Sequence, residues 1–303
     1  MNQTRRSISP ALEPLLGVES PVLDHGFVQV VDYMGTDADI VQAARVSYGP
    51  STRAVREDRD LLRYLLRHRH TSPFEMCEIK FRCRMPIMVA RQWIRHRTAN
   101  VNEMSLRYST PLENDDGVSM MYLPSADTIA LQDPKNKQGR GGMLPPELGE
   151  RAWHIMLDAA QHADRAYHEL AHELGVAREL ARSVLPVSLY TQWVWKIDLH
   201  NLMHFLSLRL DPHAQLEIRV FAEAMAGCVK LWVPLAWEAF ESYRINARTF
   251  SDVELATLGR LLDRSVLSAR IDDAAIEAGL VGRERTEFDA KIRHALETAD
   301  KAR

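Results

Sequence analysis

The densest collection of reactive side chains is RQWIRHRTANVNEMSLRYS, residues 91–109. Between positions 95 and 107 it holds three guanidiniums (Arg95, Arg97, Arg107), the His96 imidazole, the Glu103 carboxylate and the Ser105 hydroxyl. A guanidinium presents a rigid fork of donors that meets phosphate or carboxylate bidentately. One set of donors here suits a dianionic phosphate and another a second polyanion. A purely structural segment would need apolar spacing that this one lacks.

A second candidate is HELAHELG, residues 168–175, which contains H-E-x-x-H. On a helix that spacing sets two imidazoles one turn apart with a glutamate between them, the arrangement of zinc hydrolases. The longer zinc-protease pattern next requires a histidine where this chain has Arg178, a cation that would repel a metal. The surrounding helix also carries His154 and His162, so a chance match competes with the zinc reading, and the expected metal content is none. Arg67-His68-Arg69-His70 reads as a basic helix end, because cations favour helix C-termini. No G-x-S-x-G elbow, P-loop or G-x-G-x-x-G turn is present, and Gly139-Arg140-Gly141-Gly142 reads as a loop.

These groups must be held by something. GFVQVVDYM (26–34) is β-rich, TDADIVQAARVSY opens with an N-cap and predicts a helix, and REDRDLLRYLLRHRH (56–70) predicts an amphipathic one. Cys77, Ile79, Phe81, Cys83 and Met85 alternate with Glu78, Lys80, Arg82 and Arg84, the period of a half-buried strand. Pro86 then starts a helix that delivers Arg95, His96 and Arg97 at its end. Residues 132–146 read as a mobile surface loop. A long helix follows from about Glu147 to Leu174, then a shorter one ending at Pro186. SLYTQWVWKID alternates as a second long strand, and further helices fill 199–208, 213–231 and 234–243. Two long strands among many helices, without βαβ alternation, predict an α+β fold. Residues 1–25 read as a loose leader, 26–245 as a catalytic domain, and 246–303 as a helical C-terminal extension.

The chain has 303 residues, 46% apolar and 26% charged, which supports a sizeable core and excludes a disordered tail protein. No apolar run reaches the roughly 20 residues a bilayer span needs. MNQTRRSISPALEPLL has no cleavable hydrophobic stretch. Cys77, Cys83 and Cys228 are odd in number and lack C-x-x-C spacing, which fits a reducing cytoplasm rather than a disulfide framework. Of 38 basic residues 31 are Arg, and residues 45–107 carry a local excess of eight positive charges, either an anion site or a solvated basic face. The net charge of −3 argues against nucleic acid as partner.

R-H-R, seven residues, then S, met in full by RHRTANVNEMS, resembles the signature of flavin-dependent thymidylate synthases. HTSPFE (70–75), ARSVLP (181–186), NLMHFLSLRLDPHAQLEIR (201–219) and VDYMGTDADIVQAARVSY (31–48) agree in order, so the resemblance covers about 26–245. It implies an antiparallel-type sheet with packed helices. It implies reductive methylation of deoxyuridine monophosphate to thymidylate, with FAD as cofactor and NADPH and methylenetetrahydrofolate as co-substrates. It also implies a homotetramer with active sites shared between subunits. Carried onto this chain, Gln92, Arg95, the segment Glu103, Met104, Ser105, Leu106 and Arg107, and Arg182 (from another subunit) would contact the nucleotide. Arg95, His96, Arg97 and Glu103 would face the flavin, and Ser72 would bind it across the subunit interface. The flavin-contacting slots are Asp198-Leu199-His200 and His204, where relatives carry Asn-x-Arg and a second asparagine. Leu106 stands where a small residue is frequent and Leu216 where some relatives are aromatic. Arg209 matches the arginine set against the pyrimidine ring, a role with a plain basis: a guanidinium stabilises charge as it develops. His204 and Arg209 lie five residues apart, so one helix would carry flavin contacts at its start and the substrate arginine near its end. A zinc metallohydrolase and a non-catalytic nucleotide-binding module remain the alternatives.

Overall fold

The computed structural model describes residues 6–46, 55–137 and 139–301, so Ser47 and Tyr48 of the 31–48 match lie outside the described residues. The strands in chain order are β1 (Glu19–Val22), β2 (Gly26–Met34), β3 (Glu78–Pro86), β4 (Asn100–Glu103), β5 (Ala130–Gln132), β6 (Arg140–Met143) and β7 (Tyr190–Asp198). Five form one antiparallel sheet in the order β1-β2-β3-β7-β4, and β5 pairs with β6 as a separate hairpin. The expected α+β class is what the chain adopts.

Period-two alternation sets the sheet's inner face. Ile79, Phe81, Cys83 and Met85 of β3 are buried, while Glu78, Lys80, Arg82 and Arg84 between them are half-exposed. In β7 Trp193, Trp195 and Ile197 point the same way, with Cys83 paired to Trp193 and Phe81 to Trp195. The helices α1 (Asp37–Ala44), α2 (Val55–Arg67), α3 (Ser72–Glu75), α4 (Ile87–Trp93), α5 (Pro146–His168), α6 (Arg178–Ala181), α7 (Leu199–Arg209), α8 (Leu216–Trp232) and α9 (Pro234–Phe240) complete this unit. α4, α7 and α8 supply Trp93, Phe205 and Phe221 to the inner face, and all three are buried. The Trp93 ring stacks on Phe205 at 5.1 Å and meets Trp193 and Trp195 edge-on at 5.3 and 5.2 Å. Such pairs add to the area buried.

Two turns depend on backbone chemistry. Gly35, at φ +84°, ends β2 in the left-handed region, and a Cβ there would sit 2.6 Å from the Cys77 sulfur. Its carbonyl accepts the Trp232 indole N–H at 2.7 Å, tying α8 to the strand end. Asp37 accepts the backbone N–H groups of Leu235 and Ala236, each at 2.9 Å, and so caps the start of α9.

Three expectations change. The loose leader is built into the fold over residues 6–25: Leu12 is buried, Ser9 donates through its N–H to Tyr33 and through its hydroxyl to the Leu231 carbonyl, and β1 extends the sheet. Its short apolar positions carry no period that could reveal this. The presumed loop at 132–146 contains most of the β5–β6 hairpin. The helix expected to run to Leu174 changes to a π-helical turn over Glu169–Glu173, where HELAH falls.

The chain divides into residues 1–245 and 246–303. The second unit consists of α10 (Asp252–Leu261), α11 (Arg264–Glu277) and α12 (Gly282–Lys301). A Ser251–Glu254 capping box starts α10, and Gly259 lets α10 approach α12 so closely that a Cβ would meet the Ala295 carbonyl oxygen at 2.2 Å. No helix among the described residues is long and apolar enough to cross a membrane.

Candidate active site

α4 and α7 lie against the same face of the aromatic cluster, and this brings the two distant groups together. Arg209, the last residue of α7, donates through Nε to Nε2 of His96 at 3.2 Å. Nε2 therefore carries no proton, and the imidazole is the neutral Nδ1–H tautomer. The His96 ring also packs edge-on against Phe205 at 4.9 Å and lies 5.9 Å from the His204 ring. Burial, then the charge of Arg209, then His204 push its pKa down from 6.5 to about 4. Burial and the neighbouring Arg209 together keep this imidazole neutral. Burial also lowers the Arg209 pKa, yet a guanidinium stays charged throughout the working range.

A pH prediction follows. Since the folded state favours neutral His96, the unfolded chain takes up the proton first. Stability from this group is unaffected above pH 6.5 and declines as pH falls from 6.5 towards 4. Nitrogen-detected NMR of the folded protein should show the His96 midpoint near 4; an ordinary midpoint would refute the burial of the ring and its contact with Arg209 together.

Two hollows lie on either side of the His96–His204 contact, the first lined by His204 and the second by His96. The first, about 230 Å³, has Leu66, Phe74, Met203 and Phe240 in its lining together with His200 and His204. Arg69 and Arg244 also line it, and its lining includes no carboxylate. The second, about 170 Å³, lies against His96, Arg97, Trp193 and Trp195. An apolar floor with a cationic, imidazole-bearing rim fits a planar aromatic group joined to a pyrophosphate, which is the chemistry of FAD. Sequence reasoning missed Arg69 and Arg244. Arg69 adopts φ +58°, and Arg244 lies in the turn after α9, so neither carries a local signature.

A second cluster surrounds Ser105. The Ser105 carbonyl accepts the N–H groups of Tyr108 and Ser109, and its hydroxyl accepts the Arg107 N–H at 3.3 Å. Arg107 approaches Glu179 of α6 at 3.8 Å, Arg178 donates to the Tyr108 carbonyl, and Arg182 donates to the Glu179 carbonyl. Arg107 thus faces the Glu179 carboxylate, while Arg182 bonds the backbone carbonyl of the same residue within its own turn. Arg178, read as a bar to metal binding, is an anchor for this turn. Glu103 accepts the Thr191 hydroxyl at 2.7 Å, and the Met104 N–H donates to the Gln192 carbonyl, so β7 fixes the segment that precedes Ser105. Leu106 is half-buried, and Arg95 and Arg97 are exposed and form no ion pair among the described residues.

Three of the expected flavin contacts have these surroundings within the single chain. Asp198 is the N-cap of α7, accepting from the Asn201 backbone at 2.9 Å and its side chain at 2.7 Å. Leu199 is fully buried and its N–H donates to the Cys77 carbonyl. Ser72 is exposed at the start of α3, while its neighbour Thr71 lines the first hollow. Asp198 thus serves a helix cap and Leu199 the core, alongside any ligand they meet. Burial, the largest cause in each case, pushes the thiols up: Cys77 to about 12, Cys228 to about 11 and Cys83 well above its ordinary value. None is poised as a nucleophile. His168 and His172 stack at 5.4 Å, and among the described residues no group of three His, Cys, Asp or Glu side chains is placed to hold a metal.

The antiparallel sheet, the cationic hollows and the histidine–arginine pair together define an α+β protein with a cationic site against an aromatic cluster. The family model described as thymidylate synthase complementing protein matches residues 29–235. A flavin-dependent thymidylate synthase from Ruegeria pomeroyi is 50% identical, with 95% of this chain and 93% of that protein covered. One from Rickettsia bellii is also 50% identical, over 86% of this chain and 91% of that protein. A crystal structure of a UMP/dUMP methylase from Streptomyces cacaoi bound with 5-Br UMP superposes with a TM-score of 0.65 at 34% identity, covering 75% of this chain and 98% of that one. The chain belongs to the flavin-dependent thymidylate synthase family.

Proposed function

We propose that the protein methylates deoxyuridine monophosphate to thymidylate, taking the carbon from methylenetetrahydrofolate. Reduced FAD is the hydride source and NADPH the reductant. The observation that carries this reading is the Arg209–His96 pair: a half-buried guanidinium whose recorded partner is a neutral imidazole, not a carboxylate. Its charge is therefore left for a ligand.

FAD, once bound and reduced, supplies a hydride. The chain's own residues do the rest. Arg209 faces the pyrimidine and stabilises negative charge as the ring ionises at N3, which activates C5. Ser105, Arg107, Arg95 and Arg182 meet the phosphate and pyrimidine, with Gln92 and Glu103 completing the nucleotide contacts. His96, Arg97, His200 and His204 line the flavin's place, with Glu103 touching both ligands. A hollow of about 230 Å³ holds only part of so large a cofactor. We assign the remainder to another subunit of a homotetramer, where Ser72, exposed in one chain, can reach it. The relatives' names, the cationic linings and the full RHRTANVNEMS signature support this reading.

The test is a spectrum and an omission series. The purified protein should be yellow or become so with FAD. It should form thymidylate only when deoxyuridine monophosphate, methylenetetrahydrofolate, FAD and NADPH are all present. A colourless protein that FAD cannot reconstitute would leave only the binding-module reading. Light scattering should give a tetramer, and a monomer that binds FAD tightly would remove the shared-site assignment.

A further inference from the structure

The most deeply buried charged side chain among the described residues is Glu217, 2% exposed, in the first turn of α8. A carboxylate at such a depth must be neutralised by hydrogen bonds or opposite charge. Each of its oxygens has partners. Oε1 accepts the Tyr122 hydroxyl at 3.1 Å and the guanidinium of Arg140, which reaches in from β6. Oε2 accepts the Gln215 amide nitrogen at 2.8 Å. Burial alone would raise its pKa, but the bonds from Gln215 and Arg140 outweigh that and hold it below the ordinary value.

The consequence is a chain of forced orientations. An ionised carboxylate only accepts, so Gln215 must turn its NH₂ group towards Glu217. Its carbonyl oxygen then faces the other way, and there it accepts the amide nitrogen of Gln92. Gln92 therefore has one of its two amide N–H groups engaged and its oxygen left over to accept. It sits in the last turn of α4, three residues before Arg95. An isolated glutamine can present either end of its amide; this one is set by an anion two residues removed along the hydrogen bonds.

We propose that Arg140, Glu217 and Gln215 are positioning residues that fix the polarity of Gln92, so that it offers the nucleotide an acceptor. It then pairs through that oxygen with a ligand donor, an imide N–H or a sugar hydroxyl. The proposal rests on the reading of Gln92 as a nucleotide contact. It gives the β5–β6 hairpin a task, since Arg140 ties that hairpin to the anchor.

The test uses FAD-loaded protein and equilibrium dialysis of deoxyuridine monophosphate, with inorganic phosphate as competitor. Glu217→Gln removes the acceptor-only anchor at constant shape. Gln215→Leu cuts the chain midway and leaves Arg140, Glu217 and Tyr122 together. Each should weaken nucleotide binding about tenfold, the size of one lost oriented hydrogen bond. FAD content and the inhibition constant of inorganic phosphate should stay as in the wild type. In a Gln92→Ala background neither substitution should weaken binding further, because the group they orient is gone. Equal losses in both backgrounds, or a parallel loss of phosphate binding, would overturn the relay. If Glu217→Gln fails to fold, Gln215→Leu alone decides. A wild-type protein that binds no deoxyuridine monophosphate would overturn the functional reading and the relay with it; unchanged variants of a binding-competent protein would overturn the relay alone.

Discussion

Replacing Arg209 with alanine is expected to nearly abolish thymidylate formation while leaving FAD binding and flavin reduction in place. In a water-poor site the loss of one oriented donor to developing charge costs on the order of 3 kcal/mol, a hundredfold or more in rate. Arg209 is half-buried at the end of α7, and its Nε bond to His96 sets its orientation. Lysine would keep the charge but lose the planar fork, so Arg209→Lys should rescue little. A second readout does not depend on turnover. The Arg209 charge is one of the causes holding the His96 pKa near 4, so Arg209→Ala should raise that midpoint while burial still keeps it below 6.5.

Ser105 is the informative contrast. Its hydroxyl accepts the Arg107 N–H, and none of its recorded hydrogen-bond partners is a base that could take its proton. A serine without such a base is a poor nucleophile. Ser105→Ala should therefore lose affinity for the nucleotide and only part of its turnover. Single-turnover rates with pre-reduced flavin and saturating nucleotide separate the two. A dead Ser105→Ala beside an active Arg209→Ala would reverse the assignment.

The second large effect is on stability. Trp93→Ala should destabilise the unit spanning residues 1–245 by about 3–5 kcal/mol, the range for removing a buried aromatic side chain. The indole is fully buried and touches Trp193, Trp195, Phe205 and Phe221, rings drawn from β7, α7 and α8. Removing it opens a cavity where the two halves of the site meet, because Phe205 also supports His96. The urea midpoint at fixed protein concentration should fall, and flavin retention should fall with it. Trp93→Phe keeps a ring in the cluster and should cost much less; its Nε1–H has no recorded partner to lose. A Trp93→Ala protein with wild-type stability would show that the cluster repacks and does not hold α4 against α7.

The H-E-x-x-H match falls where the helix changes type. His168 closes α5 and His172 lies in the π-helical turn, and their two rings stack on each other. The arginine-rich signature differs because most of its residues are polar or charged and leave little apolar surface for the core. There a residue's type already limits its task to ligands and solvent.

The sequence by itself determined the strands that alternate, the helix that starts after Pro86, the α+β class, and the family, through RHRTANVNEMS and Arg209. These are local or near-local properties: a period of two, a proline's fixed φ, a run of donors with no apolar partner. Tertiary structure decided which of those residues meet. It joined Arg209 to His96 across 113 positions and gave Asp198 to a helix cap and Leu199 to the core. It brought Arg244 and Arg69 to one hollow and ran a hydrogen-bonded chain from Arg140 to Gln92. Side chains far apart in sequence are brought together by packing of the aromatic cluster, and only that packing tells a ligand contact from a cap or an anchor.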